Sequence, residues 1–114
     1  MNRHFRLQCV VLTLVAACGP IDHGTALQSP DPDVRMNALL QAGSSGDESL
    51  VPAIIPSLQS DDPLVRWTAQ QSLHKLTGTT LGYQWSDSPN QRATGVQKWV
   101  QWCHGKNLST GRST

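Results

Sequence analysis

Leu58-Gln59-Ser60-Asp61-Asp62-Pro63-Leu64-Val65-Arg66-Trp67-Thr68-Ala69 lies over Leu27-Gln28-Ser29-Pro30-Asp31-Pro32-Asp33-Val34-Arg35-Met36-Asn37-Ala38, with Asp62 set against Asp31. Leu, Gln, Ser, Asp, Pro, Val, Arg and Ala recur in register. Self-similarity at a fixed period marks stacked units, each hiding its apolar face against the next. The matched residues also make physical sense. Asp31 and Asp62 are N-cap residues, and Pro32 and Pro63 follow at the first helical position, where a missing N–H costs nothing. Each cap opens a helix with an inward row. In the second copy the row is Val65, Ala69, Leu73 and Leu76. In the first it is Val34, Ala38 and Ala42, with Leu39 alongside.

Working outward, Gly43 to Gly46 reads as a turn. Asp47 and Glu48 then start a second helix carrying Leu50, Val51, Ile54, Ile55 and Leu58. Pro52 suits a first turn, whereas Pro56 removes a backbone bond and should bend, shorten or end the helix. After Gly78 a loop runs to Pro89. Ser88-Pro89-Asn90 opens a last helix with Val96, Trp99 and Cys103 on one face and Trp102 beside it. Gly95 weakens that helix by about 1 kcal/mol relative to alanine. From Gly105 onward, polar and small residues predict a frayed tail.

Asp-Pro-x-Val-Arg-x-x-Ala, followed by leucine and glycine, resembles the first helix of a HEAT repeat in its short bacterial form. Val65 to Gly78 is the closest match, and Leu50-Val51-Pro52-Ala53-Ile54-Ile55 resembles a HEAT second helix. The resemblance spans roughly residues 29–104 and departs after Gly78, where a loop replaces the next second helix. That loop and its sequel, with Leu81-Gly82-Tyr83, Arg92, Val96, Trp99 and Trp102, resemble an end cap of some exported bacterial HEAT proteins. The implied fold is all-α: a short right-handed HEAT-like α-solenoid of about two repeats, four helices in all, with a C-terminal capping helix.

The start of the chain reads as a secretory leader over residues 1–17. Arg3 and Arg6 are its basic region, and Cys9 to Ala17 is apolar except for Thr13. The apolar run is shorter than the roughly 20 residues a spanning helix needs, but it suits a signal sequence. Leu14-Val15-Ala16-Ala17-Cys18 resembles a bacterial lipobox, with Val15 a less common choice where the box begins. The resemblance implies cleavage before Cys18, a diacylglyceryl thioether on its sulfur, and membrane attachment through that lipid. Residues 18–28 would then be a tether and residues 105–114 a tail. Plain secretion with cleavage nearby is the alternative.

Net charge is +1 in 114 residues, which gives no electrostatic footprint for nucleic acid. His23, His74 and His104 with Cys103 match no zinc spacing. Cys103-His104 lacks the earlier cysteine of a haem-attachment motif, because position 100 is Val100. No nucleophile–base motif appears, and Ser44-Ser45 and Ser86-Asp87-Ser88 are turn chemistry. Catalytic, cofactor and metal residues are therefore expected to be absent. Arg35 and Arg66 each sit four residues after an aspartate, and the resemblance implies structural Asp–Arg pairs there; anion binding is the rival reading. Trp67 lies off the inward row. It either rests on the capping loop with Tyr83 or Trp85, or anchors a partner; Trp102 is a second candidate contact.

The leading expectation is a non-enzymatic protein-interaction or scaffold module of the cell envelope, with an unidentified protein partner. An accessory subunit of an enzyme or a cofactor-attachment lyase is a second reading, and a purely structural small lipoprotein a third. Metabolic palmitate labelling tests the anchor. Label is expected on the wild-type chain and absent from Cys18→Ser; equal labelling of both, or of neither in a competent host, rejects it.

Overall fold

The computed structural model describes residues 23–110. The leader, Cys18, the first part of the tether and the end of the tail lie outside the described residues. Five α-helices follow in order: α1 (His23–Leu27), α2 (Pro32–Ser44), α3 (Val51–Ile54), α4 (Pro63–Thr77) and α5 (Pro89–Gly105). Among the described residues there is no strand, and no helix is long and apolar enough to cross a membrane. The arrangement is a small all-α solenoid.

The repeat is legible atom by atom at the two helix starts. Asp31 Oδ1 accepts from the Asp33 N–H at 2.9 Å, and Asp62 Oδ1 accepts from Leu64 at 2.9 Å. One residue earlier the same echo continues. Ser29 Oγ accepts from the Asp31 N–H and Ser60 Oγ from the Asp62 N–H, both at 3.2 Å. The serine therefore fixes the entry of the chain, the aspartate satisfies an orphan donor, and the proline supplies the first helical φ. At its far end α4 stops on Gly78 at φ +77°, whose N–H donates to the His74 carbonyl at 2.8 Å. A left-handed residue suits glycine there.

Pro56 acts as its chemistry requires. Only Val51–Ile54 is α-helical, with 3₁₀ turns at Glu48–Leu50 before it and Ile55–Gln59 after it. A residue without an N–H cannot continue the i to i−4 ladder, and the tighter winding takes over. Val51, Ile54, Ile55 and Leu58 still reach the core.

The inward row holds on α4, where Val65, Ala69 and Leu73 are buried and Leu76 is half-buried. On α2 it needs one correction. Ala38, Leu39 and Ala42 are buried, but Val34 is 43 % exposed while its register mate Val65 is 1 % exposed. The cause is position in the stack. Helix α4 turns Thr68 and Ser72 onto α2, and both are buried. The matching residues of α2, Asn37 and Gln41, are exposed because among the described residues no full-length helix lies on that side. Val34 shares this uncovered side.

The α2–α4 contact is close. Ser72 Oγ donates to the Leu39 carbonyl at 2.7 Å and to the Thr68 carbonyl at 2.9 Å. A Cβ added to Gly43 would stand 2.8 Å from Ser72 Cα, so only glycine lets the two backbones approach this far.

Two boundary expectations are also corrected. The tether was placed through Gln28, yet His23–Leu27 form α1 and Leu27 is fully buried. Gln28 Nε2 donates to the Ala53 carbonyl at 3.3 Å. The tail is not free at its start either: the Leu108 N–H donates to the Cys103 carbonyl at 2.9 Å, and the Leu108 side chain packs on the core. Both corrections have one physical origin, a single leucine in a polar stretch that finds apolar surface to cover.

Helix α5 opens with a reciprocal capping box, Ser88 Oγ accepting from the Gln91 N–H and Gln91 Oε1 from the Ser88 N–H, each at 3.3 Å. It lays Trp99 (1 % exposed) and Cys103 (0 %) into the core. Gly95 is what brings it close, since a Cβ there would meet Tyr83 Cδ2 at 2.9 Å. Tyr83 is buried beneath, its hydroxyl donating to the Leu58 carbonyl at 2.5 Å. Trp99→Ala is expected to cost about 3–5 kcal/mol in urea unfolding followed by far-UV circular dichroism. A loss below about 1 kcal/mol would mean that α5 is dispensable to the fold.

Candidate functional site

A groove of about 480 Å³ is lined by Pro63, Leu64, Trp67 and Trp85. Its lining is almost wholly apolar, and three of its members face solvent: Pro63 is exposed, Leu64 is 61 % exposed and Trp67 45 %. Leu64 and Trp67 are three residues apart and so share a side of α4, the side that faces away from the inward row. Apolar side chains clustered on a surface, as distinct from scattered ones, need an explanation.

The fourth wall comes from the loop between α4 and α5. Its path is set by turn chemistry: the Leu81 N–H donates to Thr79 Oγ1 at 3.1 Å, and the Tyr83 N–H donates to the Thr80 carbonyl at 3.0 Å. Leu81 at φ +51° and Gly82 at φ +77° reverse the chain. Trp85 then returns to α4, where its N–H donates to Gln70 Oε1 at 2.9 Å and its carbonyl accepts from Arg66 Nε at 3.0 Å. Trp67 and Trp85 therefore do share a surface, as one sequence reading held, but they line a groove and leave it open.

Arg66 is structural, though its partners differ from the pairing expected. It bonds carbonyl oxygens, with Nη1 donating to Ser60 at 2.8 Å and to Asp61 at 3.2 Å in addition to the Trp85 bond. No Asp–Arg salt bridge is formed among the described residues. A guanidinium with five donors can knit together a loop end, a helix start and a capping segment, which a bridge to one carboxylate would not do. Arg35, its register mate, has Nε buried with no hydrogen-bond partner. The ion pair that is seen, Lys106 Nζ to Glu48 Oε2 at 4.0 Å, is solvent-exposed and contributes little.

Trp102 does not line the groove. It is half-buried on α5, edge-on to Trp99 with ring centroids 5.6 Å apart, and Lys106 Nζ lies 5.3 Å from the centre of its ring system. The sequence placed Trp67 and Trp102 together as candidate contacts; the structure puts one in the groove and the other in the cap. Leu64 was missed. The available signal was its register: it replaces Asp33, an exposed charged residue, at the same point of the repeat.

The remaining chemistry is dispersed. Among the described residues no three His, Cys, Asp or Glu side chains come together as a metal set. His74 and His104 are exposed, while Cys103 is fully buried; the side chain of His23 lies outside the described residues. Burial pushes the Cys103 thiol up from its ordinary pKa. Burial likewise raises Tyr83, against the opposing pull of Arg66 and Arg92, and Asp87 adds to the rise. Neither group is poised to react at neutral pH.

With this geometry in view, comparison with known proteins decides the family. The profile described as HEAT repeats matches residues 24–83, more than half of the 114-residue chain. This chain belongs to the HEAT-repeat family. No curated protein and no solved structure matches it. The match takes in the HEAT repeats from α1 through Tyr83, so the HEAT region includes three of the four groove residues, and Trp85 and α5 lie just beyond it.

The thiol supplies a direct check. Iodoacetamide at neutral pH is expected to leave Cys103 unmodified in the folded chain and to alkylate it once urea unfolds the protein, because the thiolate is the reactive form and is suppressed by burial. Mass spectrometry of the peptide containing Cys103 reads the result; fast modification of the native chain would contradict its buried position.

Proposed function

We propose that this chain is a non-enzymatic protein-interaction module of the cell envelope, exported by its leader and held to the membrane by a lipid on Cys18. Its docking surface is the groove of Pro63, Leu64, Trp67 and Trp85. The observation that carries the reading is the exposure of Trp67 and Leu64 in an apolar groove, while Tyr83, Trp85, Trp99 and Trp102 are buried or half-buried. Exposed tryptophan in a shaped apolar site is the usual form of an interface hot spot. Family membership supports the same conclusion, since HEAT repeats generally mediate protein–protein interaction. The lipid would confine the module to a surface, where two acyl chains hold a protein stably.

The test is site-specific photocrosslinking in cells, with a benzophenone amino acid at position 64 of the full chain. A discrete protein adduct is expected. Trp67→Ala should remove it by weakening binding by about 2 kcal/mol or more while leaving the melting temperature close to wild type. If the adduct persists in Trp67→Ala, the groove is not the docking surface.

A further inference from the structure

The leading end of the stack carries two features that bear on each other. The first is the uncovered side of α2. Val34, Asn37 and Gln41 follow one another along it at helical spacing, with Leu40 three residues from Asn37, and all four are exposed. Among the described residues, Val34 and Leu40 are two of four large hydrophobics left in solvent; the other two belong to the groove. The repeat does not call for apolar surface there. The register mate of Leu40 is Gln71, and that of Val34 is the buried Val65. From Val34 to Gly46 there is no acidic residue. Asp33, one step earlier and exposed, and the half-buried Arg35 are the charges that adjoin this side.

The second feature is the short link to Cys18. Helix α1 begins at His23 and packs on α2 and α3, while α4 takes the opposite flank of α2. The start of α1 and the uncovered side therefore belong to the same end. Residues 18–22 lie outside the described residues, but their number limits their reach. The five steps from Cys18 to His23 (23 minus 18) span at most about 18 Å. We propose that the uncovered side of α2 is a membrane-seating face. Val34 and Leu40 rest in the interfacial layer of the bilayer that holds the lipid of Cys18, with the amides of Asn37 and Gln41 among the headgroups. The inference rests on the reading of Cys18 as the lipid-bearing residue. A link this short keeps the lipid surface at high effective concentration beside this end, so a face too small to bind membrane alone is enough to orient the module. The attraction is apolar, since no basic cluster lies here, and the Asp33 carboxylate stays with water and limits the depth. The groove on α4 is at the other end of the stack and is left in the aqueous phase.

The test uses the chain purified with its lipid and reconstituted in phosphatidylcholine vesicles. A nitroxide is placed on Gln41→Cys and, for comparison, on His74→Cys, an exposed position of α4; the buried Cys103 does not take the label. Electron paramagnetic resonance reads the collision of each label with oxygen and with a water-soluble nickel chelate. The label at 41 is expected to be open to oxygen and shielded from the chelate, at a depth of about 5–10 Å, and the label at 74 the reverse. Leu40→Glu added to Gln41→Cys should abolish the shielding while the chain still floats with the vesicles. Val34→Glu carries the same expectation and serves if Leu40→Glu does not fold. A floating chain whose label at 41 is as open to the chelate as that at 74 overturns this inference and leaves the anchor standing. Shielding that survives both glutamates overturns it as well, as does dipolar broadening of the label at 41, which would make a second copy the occupant. A wild-type chain that stays out of the vesicle fraction overturns the lipid reading and this inference with it.

Discussion

The close approach of α4 to α2 is the contact on which the other contacts depend. Gly43 leaves space for the Ser72 backbone, and Ser72 fills it with a hydroxyl that bonds a carbonyl of each helix. Neither residue is apolar, yet the approach they allow leaves Ala38, Ala42 and Ala69 buried. Packing at crystal-like density tolerates no extra carbon here. Once α4 is seated on α2, its remaining sides are assigned. One covers Val51, Ile54 and Leu58 of the bent second helix. The next receives the loop that brings Trp85, and the last is left in solvent with Leu64 and Trp67.

The cap repeats the same physics with different residues. Gly95 admits the Tyr83 ring, and the Tyr83 hydroxyl bonds the Leu58 carbonyl. A glycine that weakens its own helix is thus recovered through tertiary contact, a case in which helix propensity is overridden by packing. Trp99 and Cys103 complete the seal. The stack therefore has two glycine contacts, one within the repeats and one at the cap.

Much of this was legible in the sequence, and the reasons are local. Asp31, Asp62 and Ser88 announce helix starts because capping needs only the next three residues. Pro56 announces the end of α-helical winding because the missing N–H is its own property. The rest depended on neighbours that a sequence does not display. Val34 and Val65 are the same residue in the same register, and only the presence of a helix beside one of them separates their exposure. The arginines were expected to pair with aspartates four residues back, but the Arg66 guanidinium meets the carbonyls of Ser60 and Asp61 just upstream and that of Trp85 nineteen residues downstream. Leu27 and Leu108 looked like members of polar tethers because burial of a lone leucine is decided by what stands opposite it. For the groove, Trp67 was visible as an aromatic off the inward row. Its walls were not, since Trp85 reaches it only through the reversal at Leu81 and Gly82.

The two ends of the stack are unlike, and this bears on assembly. A repeat protein whose leading face matches its trailing face can add copies head to tail without limit, because a heterologous contact that does not close generates a fibre. Here the leading side of α2 carries Asn37 and Gln41, both exposed, where α4 carries the buried Thr68 and Ser72, so the two faces are not interchangeable. At the other end Tyr83, Trp99 and α5 occupy the place a third repeat would need. The residues that seal the core at the cap, Tyr83 and Trp99, therefore also obstruct a head-to-tail contact at that end.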